Sequence, residues 1–367
     1  MYHFNKLRLI INFFFIIFLS FLFNKVNAQQ KYNYTNRIDI VYKNIYKHFY
    51  DSTKNLFIEK TQLKHDEKPY AYLWPICAMI QAANEMEVLF PQKQYMQPVI
   101  KVIDKYYNAA KPPHPGYESY LMEAGGDARF YDDNQWIGIA YMDAYHRTKD
   151  TSYLNLSKEI YGFMMTGFDS IAGGGLYWKE FDSTTKNTCS NGPGVLLALQ
   201  LYKATQQEKY LDTAMLLYNW VNKNLKSPDG LFFDNIKLPS KEIDKRKFTY
   251  NLGTMLQSNV QLYNITKDKK YLIAAQRQAD AGLKYFYKNN LFPDNYWFNA
   301  VLLRGYVELY RVDKRNAYIK SFKTYADKVW QMQRDNKNLV GTQPHKSLIG
   351  QAGYLEILAR LSNLDTK

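Results

Sequence analysis

Two neighbouring carboxylates, Asp132 and Asp133, lie between a long connector and an apolar helical pattern that begins at Trp136. Ionising one of two adjacent carboxyl groups raises the pKa of the other, so one of them keeps its proton more readily. A charged carboxylate beside a protonated one supplies the nucleophile and the acid that a retaining glycoside hydrolysis requires. The simpler interpretation is that the pair only caps a helix, because acidic side chains stabilise the first helical turn.

Four other segments have compositions suited to binding sugars. Residues 173–180 (GGGLYWKE) combine a bare glycine backbone with aromatic faces, which suit the apolar faces of pyranose rings. Residues 186–191, 230–235 and 249–254 add amides, hydroxyls and a carboxylate that can hydrogen-bond sugar hydroxyls. Taken one at a time, each segment is also explained as a capped helix start or a packed loop. The candidate substrate-binding residues are Trp136, Tyr177, Trp178, Asn187, Asn191, Asp234, Tyr250 and Asn251.

A repeated sequence motif indicates how these segments are positioned. Three times, at Thr148, Thr205 and Thr266, a Thr precedes a Tyr-Leu pair by five residues, with an apolar helical pattern on either side. Looser copies lie at residues 87–96 and 309–319. A unit that recurs about every 60 residues indicates helical hairpins, each with an apolar face that a neighbouring hairpin must cover.

Six such hairpins account for the length of the chain, so we predict an all-α fold, a closed (α/α)6 toroid of six helical hairpins. An open helical-repeat array is the alternative, and strands are poorly supported. The connectors at 112–131, 169–191, 227–251 and 288–297 are long and rich in aromatic residues, which is typical of functional loops. We expect them to crowd one face of the toroid and to hold the site there.

Residues 1–28 have the pattern of a signal peptide. A basic start precedes an apolar run that is short for a membrane span, and residues 26–28 (VNA) form the small-x-small pattern found before a cleavage site. We therefore expect a single catalytic domain over residues 29–367, exported to the periplasm or the medium, without stable membrane insertion.

Charge and cysteine content exclude several other functions. The formal net charge of +14 is spread along the chain without a dense basic helix, so a nucleic-acid partner is not expected. Cys77 and Cys189 have small or apolar neighbours, which favours two buried thiols over a disulfide. The six histidines show no ligand spacing, so no metal site is expected.

In combination, these segments resemble glycoside hydrolase family 76, the α-1,6-mannanases. The resemblance rests on four motifs in order, which are YDDNQW at 131–136, GGGLYWKE at 173–180, KNTCSN at 186–191 and TYNLGT at 249–254. It implies an (α/α)6 fold, retention of anomeric configuration, and neither metal nor cofactor.

The same resemblance implies roles for individual residues. Asp132 matches the family's nucleophile and Asp133 its general acid/base. Asp234 is similar to a substrate-binding acid, and Tyr250 and Asn251 to part of the cleft. The chain departs from the family pattern in its Gly-Pro-Gly at 192–194 and its Leu at 252, which leaves details of the subsites open.

The main hypothesis is therefore hydrolysis of α-1,6-mannosidic bonds in α-mannan polysaccharide or oligosaccharide by a monomer, with endo or exo action left open. One alternative is a mannan-directed transglycosylase, or another (α/α)6 α-mannoside hydrolase that uses the same pair. A second alternative is a non-catalytic helical-repeat glycan-binding protein, in which Asp132 and Asp133 merely cap a helix.

Overall fold

The computed structural model describes residues 34–365, so the predicted leader at 1–28 lies outside the described part of the chain. The described residues form twelve α-helices and eight short strands. The helices are α1 (34–49), α2 (Leu73–Leu89), α3 (Met96–Ile103), α4 (Tyr131–Thr148), α5 (Thr151–Met165), α6 (Thr188–Thr205), α7 (Glu208–Asn224), α8 (Thr249–Thr266), α9 (Lys269–Phe286), α10 (Tyr296–Asp313), α11 (Ala317–Met332) and α12 (Leu348–Asp365).

The even-numbered helices form a closed inner ring. Each packs against the next, and contact between α12 and α2 completes the circle. Because neighbours cover them on nearly every side, the inner helices bury residues around most of their circumference, including polar ones such as Gln257 and Asn259, whereas the outer helices bury a single face. The predicted (α/α)6 toroid is confirmed, and the open array is wrong for the described residues.

The sixth helical pair is built from the two ends of the described chain. Helix α1 lies in the outer ring between α11 and α3, where Arg37 pairs with Asp327 at 2.5 Å and the rings of Tyr42 and Tyr95 are 5.0 Å apart. Arg37 also lies beside Tyr354 of α12. The ring is therefore closed by a pair of helices that are not consecutive in sequence.

The repeated Thr has a direct structural explanation. At the end of α4, the hydroxyl of Thr148 donates to the carbonyl of Ala144 at 2.9 Å and accepts the backbone N–H of Asp150 at 3.2 Å. The same pair of bonds recurs at Thr205 and Thr266. Each Thr thus satisfies a carbonyl at the end of an inner helix and turns the chain into the next outer helix.

The prediction that strands are poorly supported is wrong for the connectors. They contain β1 (Tyr50–Asp51), β2 (Leu56–Phe57), β3 (Tyr107–Asn108), β4 (Gly116–Tyr117), β5 (Tyr177–Lys179), β6 (Asp182–Asn187), β7 (Asn235–Lys237) and β8 (Ile243–Asp244). The last four form one antiparallel sheet in the order β5-β6-β7-β8. These strands are too short and too polar for a clear alternating pattern, and the β6–β7 pairing joins two separate connectors.

Within residues 34–365, no helix is long and apolar enough to cross a membrane. The same residues contain no cluster of three or more His, Cys, Asp or Glu side chains that could hold a metal ion. Cys77 and Cys189 are both buried free thiols, as the sequence predicted.

The tight contact between α12 and α10 predicts a strong effect of one methyl group. A Cβ added at Gly353 would overlap the backbone of Trp297, which no side-chain rotation relieves. We expect Gly353→Ala to lower the free energy of unfolding by about 1–3 kcal/mol, measured by urea denaturation. Gly350→Ala, one turn earlier, is the control, because its Cβ would meet only side-chain atoms, Ser347 Oγ at 3.0 Å and the Tyr296 ring at 3.8 Å. Equal stability of the two variants would contradict this packing.

Candidate active site

A cleft of about 810 Å³ opens at the end of the toroid where the inner helices begin. The first turns of α2, α4, α6, α8 and α10 all contribute to its walls, together with the sheet β5–β8. The predicted gathering of the long connectors at one face is therefore confirmed for those that line the cleft.

Asp132 and Asp133 occupy the first turn of α4 and lie half-buried in the cleft wall. Oδ1 of Asp132 accepts the backbone N–H of Asp133 at 3.1 Å, and its Oδ2 accepts the indole N–H of Trp178 at 3.2 Å. The thiol of Cys189 also hydrogen-bonds this carboxylate. The N-cap position itself is taken by Phe130, which makes no side-chain cap bond. Helix capping therefore does not account for the contacts of the pair.

The surroundings of the two carboxyl groups are unequal. Burial raises the pKa of Asp132 to about 6, while hydrogen bonds from Cys189, Trp178 and the backbone oppose that rise. Burial and the charge of Asp132 raise the pKa of Asp133 well above its usual range, with no opposing hydrogen bond among the described residues. The pair therefore favours a state in which Asp132 is ionised and Asp133 holds a proton.

Aromatic side chains form the floor and two walls of the cleft. On the floor, Trp136 and Trp297 meet edge to face at 5.5 Å, and the Gln81 amide hydrogen-bonds both residues. One wall carries Trp178, whose ring lies 4.9 Å from that of Phe130. Another part of the wall is an aromatic cluster of Phe248, Tyr250 and Phe298. Such faces can stack on the apolar faces of sugar rings.

The cleft wall near β7 presents a polar group centred on Asp234. Asn235 donates to the Asp234 carboxylate at 3.0 Å, and the guanidinium of Arg246 lies 3.6 Å away. Burial raises the pKa of Asp234. The side-chain oxygens of Asn187 and Asn235 are buried without a protein partner among the described residues. This part of the wall can therefore still accept hydrogen bonds from ligand hydroxyls.

The structure brings most of the predicted site residues together. The cleft is lined by Asp132, Asp133, Trp136, Trp178, Asn187, Asp234 and Tyr250. Asn251 is fully buried behind this wall, where its amide lies against the Asp234 carboxylate.

Tyr177 and Asn191 do not line the cleft. The hydroxyl of Tyr177 donates to Asp169 at 2.6 Å on the other side of β5. The amide of Asn191 holds both backbone groups of Leu176, at 2.7 and 3.0 Å. Both residues fix the position of β5, and thereby of Trp178, without reaching the cleft themselves.

Several lining residues were not among the predictions. Trp74, Trp297 and Phe298 lie in the first turns of α2 and α10, at the same end of the ring as Asp132. Aligning the starts of all inner helices would have identified them, because those starts share one face. Cys189 and Arg246 contact the carboxylates of Asp132 and Asp234, and no spacing in the sequence indicates those contacts.

The departures from the family motifs lie away from the lining. Residues 192–194 are buried inside α6, and Leu252 is buried inside α8. None of them lines the cleft.

A sequence model of glycosyl hydrolase family 76 matches residues 33–347, which confirms the resemblance. Among curated proteins, a mannan endo-1,6-alpha-mannosidase of Saccharomyces cerevisiae is 30% identical over 178 residues, 42% of this chain and 39% of the yeast protein. The chain thus matches well under half the length of that relative.

Solved structures show the same fold over most of the chain. A glycoside hydrolase family 76 mannosidase from Bacteroides thetaiotaomicron has a TM-score of 0.82 and 25% identity, covering 91% of this chain and 99% of the other. An inactive variant of an α-1,6-mannanase from a Salegentibacter species, with two consecutive Asp-to-Asn replacements, was solved in complex with α-1,6-mannotriose. That structure has a TM-score of 0.75 and 22% identity, covering 90% and 99%.

The raised pKa values predict a pH-dependent effect on stability. A carboxyl group whose folded-state pKa lies above its unfolded value destabilises the fold as pH rises through that interval. We expect Asp133→Asn to raise the melting temperature by about 2–4 °C at pH 8, with most of the difference lost near pH 3, because that pH is below the unfolded-state pKa of about 3.9 and both states are then mostly protonated. Calorimetry at both pH values measures this. Asp212→Asn, at an exposed acid, is the control; an equal gain at pH 3 and pH 8 would contradict the prediction.

Proposed function

The chain belongs to glycosyl hydrolase family 76, and on that premise we propose that it hydrolyses α-1,6-mannosidic bonds within mannan. The observation that carries the proposal is the unequal aspartate pair, in which Asp132 is stabilised as a carboxylate and Asp133 is not. The aromatic floor and walls and the hydrogen-bonding group around Asp234 suit a chain of sugar rings.

The mechanism that follows is a double displacement. Asp133 gives its proton to the departing glycosidic oxygen while Asp132 attacks the anomeric carbon, so the C–O bond to the leaving sugar breaks as an ester to Asp132 forms. Asp133 is then ionised and takes a proton from water, whose oxygen attacks the same carbon and releases Asp132. Two displacements at one carbon leave the configuration unchanged.

The contacts of Asp132 support its part in this sequence. Donors from Trp178, Cys189 and the helix backbone stabilise its negative charge before attack and after its release. No such donor among the described residues stabilises the charged form of Asp133, so its proton is retained until the leaving oxygen develops charge.

Endo action is favoured by the size of the site. A cleft of about 810 Å³, lined by several aromatic groups besides the aspartate pair, can hold several sugar residues at once. The similar yeast protein also carries the name of an endo-1,6-alpha-mannosidase. Export through the leader at 1–28 is part of the proposal, since it brings the enzyme to polymeric substrate.

A transglycosylase would use the same first step and differ only in the acceptor that resolves the ester. Incubation with mannan and an added acceptor sugar separates the two, because transfer yields products longer than the starting acceptor. A glycan-binding protein without turnover fits the site less well, since the contacts of Asp132 exceed those of a helix cap.

Replacing each aspartate with Ala tests the assigned roles. On unsubstituted α-1,6-mannan, we expect Asp132→Ala to lose at least about 1,000-fold in kcat/KM and Asp133→Ala about 100- to 10,000-fold, measured as new reducing ends. An aryl α-mannoside with a good leaving group needs no proton in the first step. On it, Asp133→Ala should give a burst of aryl alcohol and then stall, whereas Asp132→Ala gives none.

The control for these variants is Asp212→Asn, an exposed acid on α7, which should behave as wild type. Full activity of both alanine variants on mannan would contradict the proposed catalytic roles of Asp132 and Asp133. A burst in Asp132→Ala but not in Asp133→Ala would reverse the two roles.

A further inference from the structure

Phe181 is an aromatic residue that the fold does not explain. It lies in the two-residue turn between β5 and β6, with 79% of its surface exposed. Its backbone is in the left-handed region, at φ 59°, which favours Gly or Asn and is unfavourable for a bulky side chain. Neither burial nor turn chemistry therefore favours Phe here, and such exceptions are frequent at binding sites.

The turn that carries Phe181 is rigidly held from below. The guanidinium of Arg129, which is fully buried, makes two bonds to the Glu180 carboxylate, at 2.7 and 2.5 Å. The backbone N–H of Glu180 also donates to the carbonyl of Arg129 at 2.9 Å. The Phe181 ring is thus presented to solvent from a fixed base, which lowers the entropy lost when a ligand stacks on it.

A groove of about 310 Å³ lies beside Phe181. The groove is lined by the aromatic residues Tyr131, Tyr177 and Phe181, by hydroxyl groups, including that of Ser183, and by the charged side chains of Lys179, Glu180 and Asp182. Lys179 lines both the groove and the cleft, so the two adjoin at this residue. Phe181 follows Trp178, which donates to Asp132, by three residues, in the turn that ends β5.

We propose that Phe181 and this groove bind sugar residues of a mannan chain beyond the cleft, as an outlying subsite that favours long substrates. The inference rests on the proposed function. Aromatic faces beside hydroxyl, carboxylate and ammonium groups can stack on sugar rings and hydrogen-bond their hydroxyls. A chain that leaves the cleft past Trp178 and Lys179 reaches the Phe181 ring next, whereas a short oligosaccharide held at the aspartate pair does not.

The test compares Phe181→Asn and Phe181→Trp on two substrates. For Phe181→Asn we expect kcat/KM on long unsubstituted α-1,6-mannan to fall about 3- to 10-fold, through KM, with α-1,6-mannotetraose unaffected. Phe181→Trp, which keeps an aromatic face, should retain activity on the polymer. The melting temperature of Phe181→Asn should equal or exceed that of wild type, because Asn suits the left-handed backbone. Met332→Ala removes an equally exposed apolar side chain on α11 and is the matched control.

Binding measured without cleavage separates this inference from the proposed function. In the Asp132→Ala background, affinity electrophoresis through mannan should show weaker retention when Phe181→Asn is added. Equal retention, or an equal loss of activity on polymer and tetrasaccharide, would overturn the outlying subsite. A wild-type chain that cleaves neither substrate would instead overturn the proposed hydrolysis, and the retention difference would still decide whether Phe181 binds the glycan.

Discussion

Two adjacent carboxyl groups, half-buried in one cleft wall, cannot both carry charge at low free energy, and the remainder of the site follows from this constraint. Donors from Trp178, Cys189 and the helix backbone surround Asp132. Within residues 34–365 no such donor reaches the Asp133 carboxyl group, which lies next to the charge of Asp132. The asymmetry of donors, rather than a difference between the two side chains, decides which group is ionised. It also makes the pair a source of instability that the surrounding fold must offset.

The toroid supplies this asymmetry by bringing distant segments to one face. Asp132 begins α4, Cys189 begins α6, and Trp178 comes from the sheet that joins two connectors. The position of Trp178 depends on residues behind the sheet, since Asn191 holds the backbone of Leu176 and Tyr177 is anchored on Asp169. Because the inner helices of the closed ring begin at the same end, the side chains in their first turns come together at one cleft.

The sequence was sufficient for the toroid because its signals are local. The Thr at the end of each of three inner helices hydrogen-bonds to residues only two to four positions away. Every copy of the motif therefore makes the same helix end. The family motifs likewise identified the cleft residues that open helices, such as Asp132 and Tyr250. The closed ring of six hairpins was predicted from chain length, and the pairing of α1 with α12 that completes it was not predicted.

The sheet could not be predicted in the same way, and this explains the uneven outcome for the substrate-binding residues. Successive side chains of a strand point to opposite faces, so only one of Tyr177 and Trp178 can enter the cleft. The sequence motif does not show which of the two side chains faces the cleft. In the structure, Tyr177 faces away from the cleft. Asn187 and Asn191 also differ in their position relative to the cleft. Asn187 precedes α6 at the cleft wall, while Asn191 lies one turn inside helix α6.

The central claim is that Asp132 attacks the anomeric carbon while Asp133 holds the proton, which requires two inversions and net retention. Proton NMR of α-1,6-mannohexaose during the first minutes of cleavage, before mutarotation, measures the anomer released. The proposed mechanism predicts that the new reducing end appears first as the α-anomer, with the β-anomer growing in later. Initial release of the β-anomer would contradict it, because a single displacement by water would then leave Asp132 no role as nucleophile.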